Sequence, residues 1–228
     1  MGEGAHCARR PPGCQGGRPY ARGVWPPIYL DEHLVAVDKP AGMLAVPGRL
    51  EPDCVAARVQ ARWPDARVVH RLDMATSGLL LLARGAAAQR RLGDAFAARQ
   101  VHKTYVAVVS GWLSADAGEI DLPLGADWPQ RPRQRVDPQG GKASLTRWRV
   151  LSRDAATGCS RLALEPLTGR THQLRVHLAA IGHPIVGDAL YGEADQAPAA
   201  RLMLHAEGLT LPHPGDGRAL ALACPAPF

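Results

Sequence analysis

The sequence predicts an α+β fold built on a mixed, largely antiparallel sheet. Strand-like runs outnumber helical ones, and the two kinds do not alternate in the regular order that a doubly wound sheet requires. The size is that of one large domain or two small ones: 228 residues, of which 46% are hydrophobic and 21% charged, ordinary globular values.

Residues 1–24 stand apart, with six Gly, three Pro and four Arg and little to bury, and are expected to be a disordered extension. Residues 25–228 are expected to form the folded domain, with order beginning near Trp25. Leu34-Val35-Ala36-Val37 is a short strand halted by the turn residues Asp38-Lys39-Pro40-Ala41-Gly42. Val68-Val69 runs into His70-Arg71-Leu72-Asp73, and Ser77-Gly78 leads into a strand over Leu79–Leu82. Residues 86–99 read as a helix, with Leu92 and Phe96 on one face and Arg90, Arg91 and Arg99 in solvent. Tyr105–Val109 alternates as a strand. Residues 110–142 are rich in turn formers and read as a long loop region or a small hairpin. Leu145–Leu151 and Arg161–Glu165 alternate as two further strands. Thr171 is placed to cap a helix running to Ile181, with Leu174, Leu178 and Ile181 inward and Gly182 and Pro184 as stop signals. Leu202–His205 and Leu209–Leu211 read as the last two strands.

Charge and cysteine usage narrow the function. The net charge is +6 and the pI about 9.4, which favours a polyanionic partner. Arg9, Arg10, Arg18 and Arg22 against Glu3 place +3 of that +6 in the first 23 residues, so any nucleic-acid site on the body must be local. The cysteine count, five, is odd and there is no CxxC pair, which disfavours a zinc ribbon or a disulfide framework and fits reduced thiols. The N-terminal residues lack the apolar stretch of a secretory signal, and no apolar run approaches the ~20 residues of a membrane span, so a cytoplasmic protein is expected. There is no phosphate-binding GxxxxGK[ST], no GxGxxG and no GxSxG. His172 and His177 are five apart with no glutamate between them, which is not the spacing of a helical zinc pair.

Three segments carry candidate chemistry. In the first, Asp73 follows Arg71 at the end of an apolar strand and before a Thr-Ser-Gly turn, where a rigid scaffold can present a carboxylate. The second is Gly169-Arg170-Thr171-His172-Gln173-Leu174-Arg175-Val176-His177. Here His172 and Arg175 are three apart on one helical face, and an Arg held beside a packed Leu174 calls for a carboxylate or phosphate. The third is Lys103-Thr104-Tyr105, whose Tyr105 counts for more because only 5% of the chain is aromatic. A binding module without catalysis has no need of a buried Asp–Arg pair, and a hydrolase would need a second acid or base that no spacing provides.

Taken in order, these segments resemble the RluA family of pseudouridine synthases. The matching strings are Leu34–Gly42, His70–Asp73 with Thr76-Ser77-Gly78, Lys103-Thr104-Tyr105, Gly169–His177, Gly182-His183-Pro184-Ile185 with Gly187-Asp188, and Leu204-His205-Ala206. They span about residues 28–228. Val46-Pro47-Gly48-Arg49, Leu72–Gly78 and Asp127-Trp128-Pro129 are similar to the dual-specificity subgroup, although Met74 stands where many relatives carry a charge.

The resemblance implies the pseudouridine synthase catalytic fold, with helices flanking the sheet and a central RNA-binding cleft. It implies isomerisation of uridine to pseudouridine in structured RNA, with neither cofactor nor metal. The substrates implied are tRNA, at uridine 32 of the anticodon loop, and 23S rRNA, at uridine 746 of a hairpin with a similar loop. By residue match Asp73 is the catalytic aspartate, Arg175 its ion-pair partner and Tyr105 the aromatic packed on the target base, while Arg71 fills the stack the uridine leaves. His70, Arg49, Lys103, Arg131, Arg133 and Arg170 are expected as RNA contacts. A monomer is expected.

Overall fold

The structure, a computed structural model, describes residues 26–192 and 199–228. The expected extension over residues 1–24, and its boundary at Trp25, lie outside the described residues. In chain order the elements are β1 (Tyr29–Leu30), β2 (Leu34–Lys39), α1 (Val55–Arg62), β3 (Ala66–Val68), β4 (Ser77–Arg84), α2 (Gly85–Ala97), β5 (His102–Ser110), β6 (Ala117–Asp121) and β7 (Leu124–Ala126). A single 3-10 turn over Trp128–Gln130 follows, then β8 (Gln134–Val136), β9 (Leu145–Asp154), β10 (Cys159–Pro166), α3 (Gln173–Ala180), β11 (Leu204–Pro212) and β12 (Ala219–Ala223).

Ten strands form one sheet in the order β1-β2-β4-β11-β5-β10-β9-β6, with β3 on β4 and β12 on β11. The β4–β11 pairing is parallel and the other pairings of named strands are antiparallel, so the fold is α+β as the sequence indicates. β7 and β8 form a separate two-stranded hairpin.

The unbroken Leu79–Leu82 run has a direct cause. Successive strand side chains point to opposite faces, and here both faces are covered. Leu80 and Leu82 pack with Val55, Ala56 and Val59 of α1, while Leu79 and Leu81 pack with Ala88, Leu92 and Ala95 of α2. Fully burying each leucine is worth roughly 1.5–3 kcal/mol. A third cluster lies under α3, where Leu174 and Leu178 meet Ala107, Val109, Leu162 and Leu164. Tyr105 touches both the α1 and the α3 clusters, which puts it at the junction between the two halves of the sheet.

Several expectations are corrected. α3 starts at Gln173, and its N-cap is His172 in the left-handed conformation rather than Thr171. Ile181 ends up 36% exposed instead of inward. The turn-rich segment 110–142 holds the β7–β8 hairpin and also β6, which joins the main sheet as its edge. The two expected final strands are one, β11, with a register irregularity between Ala206 and Gly208. α1 and β12, which the sequence reading does not mark, are short and Ala-rich, at eight and five residues.

The sheet is joined at its middle by two residue pairs, His205 with Ser77 and Ala206 with Gly78. Gly78 has φ +110°, and a Cβ there would overlap the Ala206 backbone, with its nitrogen at 2.7 Å. That approach is open only to glycine. Gly78→Ala is therefore expected to cost at least about 1–3 kcal/mol. Equilibrium urea unfolding checks this, the midpoint falling with little change in slope.

Candidate active site

A cavity of about 290 Å³ opens over the junction of the half-sheets, lined by Arg71, Asp73, Tyr105, Arg170, His172 and Arg175 among others. This is near the lower end of small-ligand sites (~300–1,000 Å³), room for one extruded nucleoside rather than for a folded chain. Three of the wall segments come from elements distant in sequence: the loop before β4, strand β5 and the start of α3.

Asp73 sits in that loop, which is closed by the Thr76 N–H donating to the Asp73 carbonyl at 3.1 Å. Its side chain is 24% exposed, enough to meet a ligand from the cavity. The next residue is anchored from below. Lys39, at the end of β2, is fully buried, and its Nζ donates to the carbonyls of Pro40 (2.9 Å), Met43 (2.7 Å) and Met74 (2.9 Å). Burial pushes the Lys39 pKa down to about 7, against the pull of Asp73 and Asp38. Three carbonyls use all three hydrogens of the ammonium form, so the bonding geometry favours the charged state. Lys39 thus ties the Asp73 loop to the end of β2.

Arg175, 4% exposed on α3, offers Nη1 to Asp73 Oδ2 at 3.9 Å, an ion-pair distance rather than a hydrogen bond. Its tight partner is another residue. Nε and Nη2 grip Asp188 in a two-pronged bond at 2.7 and 2.6 Å, and the Asp188 side chain is fully buried. Asp188 also accepts the Leu190 and Tyr191 N–H groups. The Tyr191 ring lies 5.1 Å from the guanidinium carbon, within cation–π range. The expected Asp73–Arg175 ion pair is present at that longer distance, and it has a companion the sequence reading does not name: Asp188 takes one edge of the guanidinium, and the Nη1 corner that remains faces Asp73. Asp188 stands in the Gly187-Asp188 string that the sequence reading quotes without assigning it a role.

Tyr105 forms one wall, and burial with the nearby Asp73 charge pushes its phenol pKa above the usual range, so it stays protonated. Lys103, two residues earlier, donates to the Thr168 carbonyl at 3.2 Å, and burial lowers its pKa. Arg71 and Arg170 line the cavity as exposed side chains. His70 also lines the cavity, and its ring is fixed there by the fold. Its Nε2 accepts the Leu81 N–H at 2.9 Å, its ring stacks on Phe96 at 5.1 Å, and burial pushes its pKa down to about 4. A neutral imidazole with that bond made is not a cation for phosphate, so a contact from His70 to a ligand in the cavity is an uncharged one.

Arg49, Arg131 and Arg133 do not line the cavity. Arg49 is exposed between β2 and α1. Arg131 and Arg133 stand on the β7–β8 hairpin, Arg131 stacked 3.6 Å from the ring of Trp128, which is 67% exposed, and Arg133 5.4 Å from the ring of Tyr191. Among the described residues, Asp38, His205 and Cys224 bring metal-ligating atoms within 4.8 Å of one another. Both nitrogens of His205 are engaged, by Ser77 Oγ (2.7 Å) and the Cys224 carbonyl (2.9 Å). Burial and Asp38 push the Cys224 thiol up to about 12. A neutral thiol beside an occupied imidazole is a poor metal donor set.

Two outcomes follow from these buried groups. Arg175→Met leaves Asp188 buried without its partner, and the expected cost is about 3–5 kcal/mol in urea unfolding. His70 titrates near 4 when folded and near 6.5 when unfolded. Its contribution is therefore complete above about pH 6.5 and is lost as the pH falls toward 4. Between pH 7 and 5 the wild type should lose roughly 2 kcal/mol on this account, and His70→Gln should show a smaller drop. Paired urea midpoints at the two pH values measure it.

The chain matches the RNA pseudouridylate synthase family over residues 33–180. It is 48% identical over 204 residues to the dual-specificity RNA pseudouridine synthase RluA of Yersinia pestis, covering 88% of this chain and 98% of that one. The same identity holds with the protein of that name from Escherichia coli K12, of which 93% is covered. Among solved structures, human RNA pseudouridylate synthase domain containing 1 superposes with a TM-score of 0.80 at 31% identity, over 93% of this chain and 87% of that one. With its carboxylate, buried guanidinium and tyrosine gathered over the centre of a shared fold, the chain belongs to the RluA family of RNA pseudouridine synthases.

Proposed function

We propose that Asp73 carries the isomerisation of uridine in two structured RNAs, the tRNA anticodon loop at uridine 32 and a 23S rRNA hairpin at uridine 746. The dual specificity in the names of the bacterial relatives supports two RNA targets, and the resemblance in sequence suggests which two. The observation that carries the residue assignment is the partly exposed Asp73 carboxylate at the cavity, 3.9 Å from the free corner of a buried, two-pronged Arg175. We further propose a cytoplasmic monomer.

The reaction breaks N1–C1′, turns the uracil and forms C5–C1′, expelling one proton from C5. One carboxylate suffices, as a nucleophile at the sugar or as a base at the 2′ position. The Arg175 guanidinium places a positive charge 3.9 Å from that carboxylate. Extruding the base costs a few kcal/mol, and packing on Tyr105 returns ~1–3 kcal/mol. Arg71 fills the gap in the stack. Lys103 and Arg170 sit at the rim for phosphates, with Arg49, Arg131 and Arg133 further out to hold the rest of the RNA.

Asp73→Asn should keep RNA affinity within about threefold and lose turnover by on the order of a thousandfold or more. Tritium release from RNA labelled at uracil C5, run in EDTA, reads the chemistry directly, one equivalent per product. Retained release in Asp73→Asn would remove Asp73 from the reaction. Arg71→Ala should slow release more for a uridine in a folded loop than for one already unstacked.

A further inference from the structure

His172 is one of two non-glycine residues with positive φ among the described residues, at +54°. A non-glycine side chain in that region is held there at a cost, and such residues cluster where geometry serves function. His172 caps α3 without a side-chain capping bond, so its ring is free for another use. The ring is 10% exposed and spans two partners: Nδ1 lies 2.7 Å from the Tyr191 hydroxyl, and Nε2 lies 3.9 Å from Asp73 Oδ2.

The bonding at Tyr191 decides which nitrogen carries the proton. The Tyr191 oxygen already accepts the Gln134 N–H at 2.7 Å, and a backbone N–H can only donate. Burial raises the Tyr191 pKa, so the hydroxyl keeps its hydrogen. With that hydrogen directed to His172 Nδ1, the Tyr191 hydroxyl and Nδ1 are both satisfied. The reverse arrangement leaves a part-buried O–H without a partner. Nδ1 is therefore the acceptor, and the ring hydrogen sits on Nε2, the nitrogen that faces Asp73. Burial keeps the ring neutral, helped by Arg175 and Arg71 and opposed by Asp73 and Asp188. Arg175 Nη1 and His172 Nε2 both lie 3.9 Å from Asp73 Oδ2, at the cavity that Asp73 lines.

We propose that His172 is a positioning residue for Asp73, fixed by Tyr191 as the Nε2–H tautomer so that its N–H and the Arg175 corner together hold one carboxylate oxygen and present the other to the ribose. The proposal rests on Asp73 being the reacting group. Tyr191 also ties the pair to Gln134 of β8, and hence to the hairpin that carries Trp128 and Arg131.

The test uses histidine labelled with nitrogen-15 in the full chain, the His172 signals being identified by their loss in His172→Asn. At pH 7.5 the wild type should show the Nε2–H tautomer, and Tyr191→Phe should show a mixture of tautomers with kcat lowered several-fold. Asparagine tolerates the left-handed backbone but cannot reach Asp73, whereas glutamine can place an amide N–H near the Nε2 position. His172→Asn should lower kcat by about tenfold or more with KM within about twofold, and His172→Gln should recover much of that loss. An Nδ1–H tautomer in the wild type, wild-type kcat in His172→Asn, or equal impairment of the Asn and Gln variants at equal melting temperature would overturn the proposal. If His172→Asn does not fold, the tautomer comparison between wild type and Tyr191→Phe decides, with the His172 signals found through their coupling to the Tyr191 substitution. Undiminished turnover in Asp73→Asn would instead overturn the assignment of Asp73 while leaving the tautomer result standing.

Discussion

The two half-sheets meet along one short parallel seam, and the site depends on it. β4 and β11 pair through Ser77–His205 and Gly78–Ala206 alone, and Ala206 is in turn registered with Tyr105 of β5. Gly78, Ala206 and Tyr105 therefore form a row across three strands. Asp73 enters from one side of that row, in the loop leading into β4, and Arg175 from the other, on a helix packed over β5 and β10. A closer or looser seam would change the carboxylate-to-guanidinium distance directly. The absence of a side chain at Gly78 is what permits the approach, and Ser77 Oγ bonded to His205 Nδ1 ties the strands together beside it.

Buried charge around the seam is arranged to hold geometry. A charged group removed from water must be matched, and each one here is matched by named partners. Lys39 spends its ammonium on three carbonyls, one of them that of the residue after Asp73. Arg175 spends one edge on Asp188, whose remaining capacity is taken by two backbone N–H groups. Buried ion pairs are weak sources of net stability, but they are directional. The orientation of the corner that faces Asp73 is set by Asp188 and by the Tyr191 ring. The site is thus preorganised by residues that need not touch the uridine, which is how a site meets the tight positional tolerance catalysis demands.

Sequence alone determined the parts whose signal is local. The apolar runs at Leu34–Val37 and Leu79–Leu82, the helix after Arg84 and the strands at Tyr105, Leu145 and Arg161 follow from residue periodicity, which neighbours along the chain decide. The family was legible because the ordered strings around Asp73, Tyr105 and Arg175 are distinctive together. α1 and β12 are not legible because eight and five residues, rich in alanine, are too short to fix their own state, which comes from the α1 packing on β4 and the pairing of β12 with β11.

What tertiary structure alone decided was pairing. Nothing in the string shows that Arg175 grips Asp188 thirteen residues on and gives Asp73 only its free corner. Nor does it show that His70 is consumed by the Leu81 N–H, or that the helix expected from Thr171 yields its cap to a left-handed His172. Each outcome is a competition among partners brought together by the seam and by the packing of α3. Sequence spacing fixes which residues share a local face, but hydrogen bonds and ion pairs go to whichever groups the fold delivers within about 3 Å. The candidate residues were therefore written in the sequence, and the partners each one takes were decided by the packing of the two half-sheets and α3.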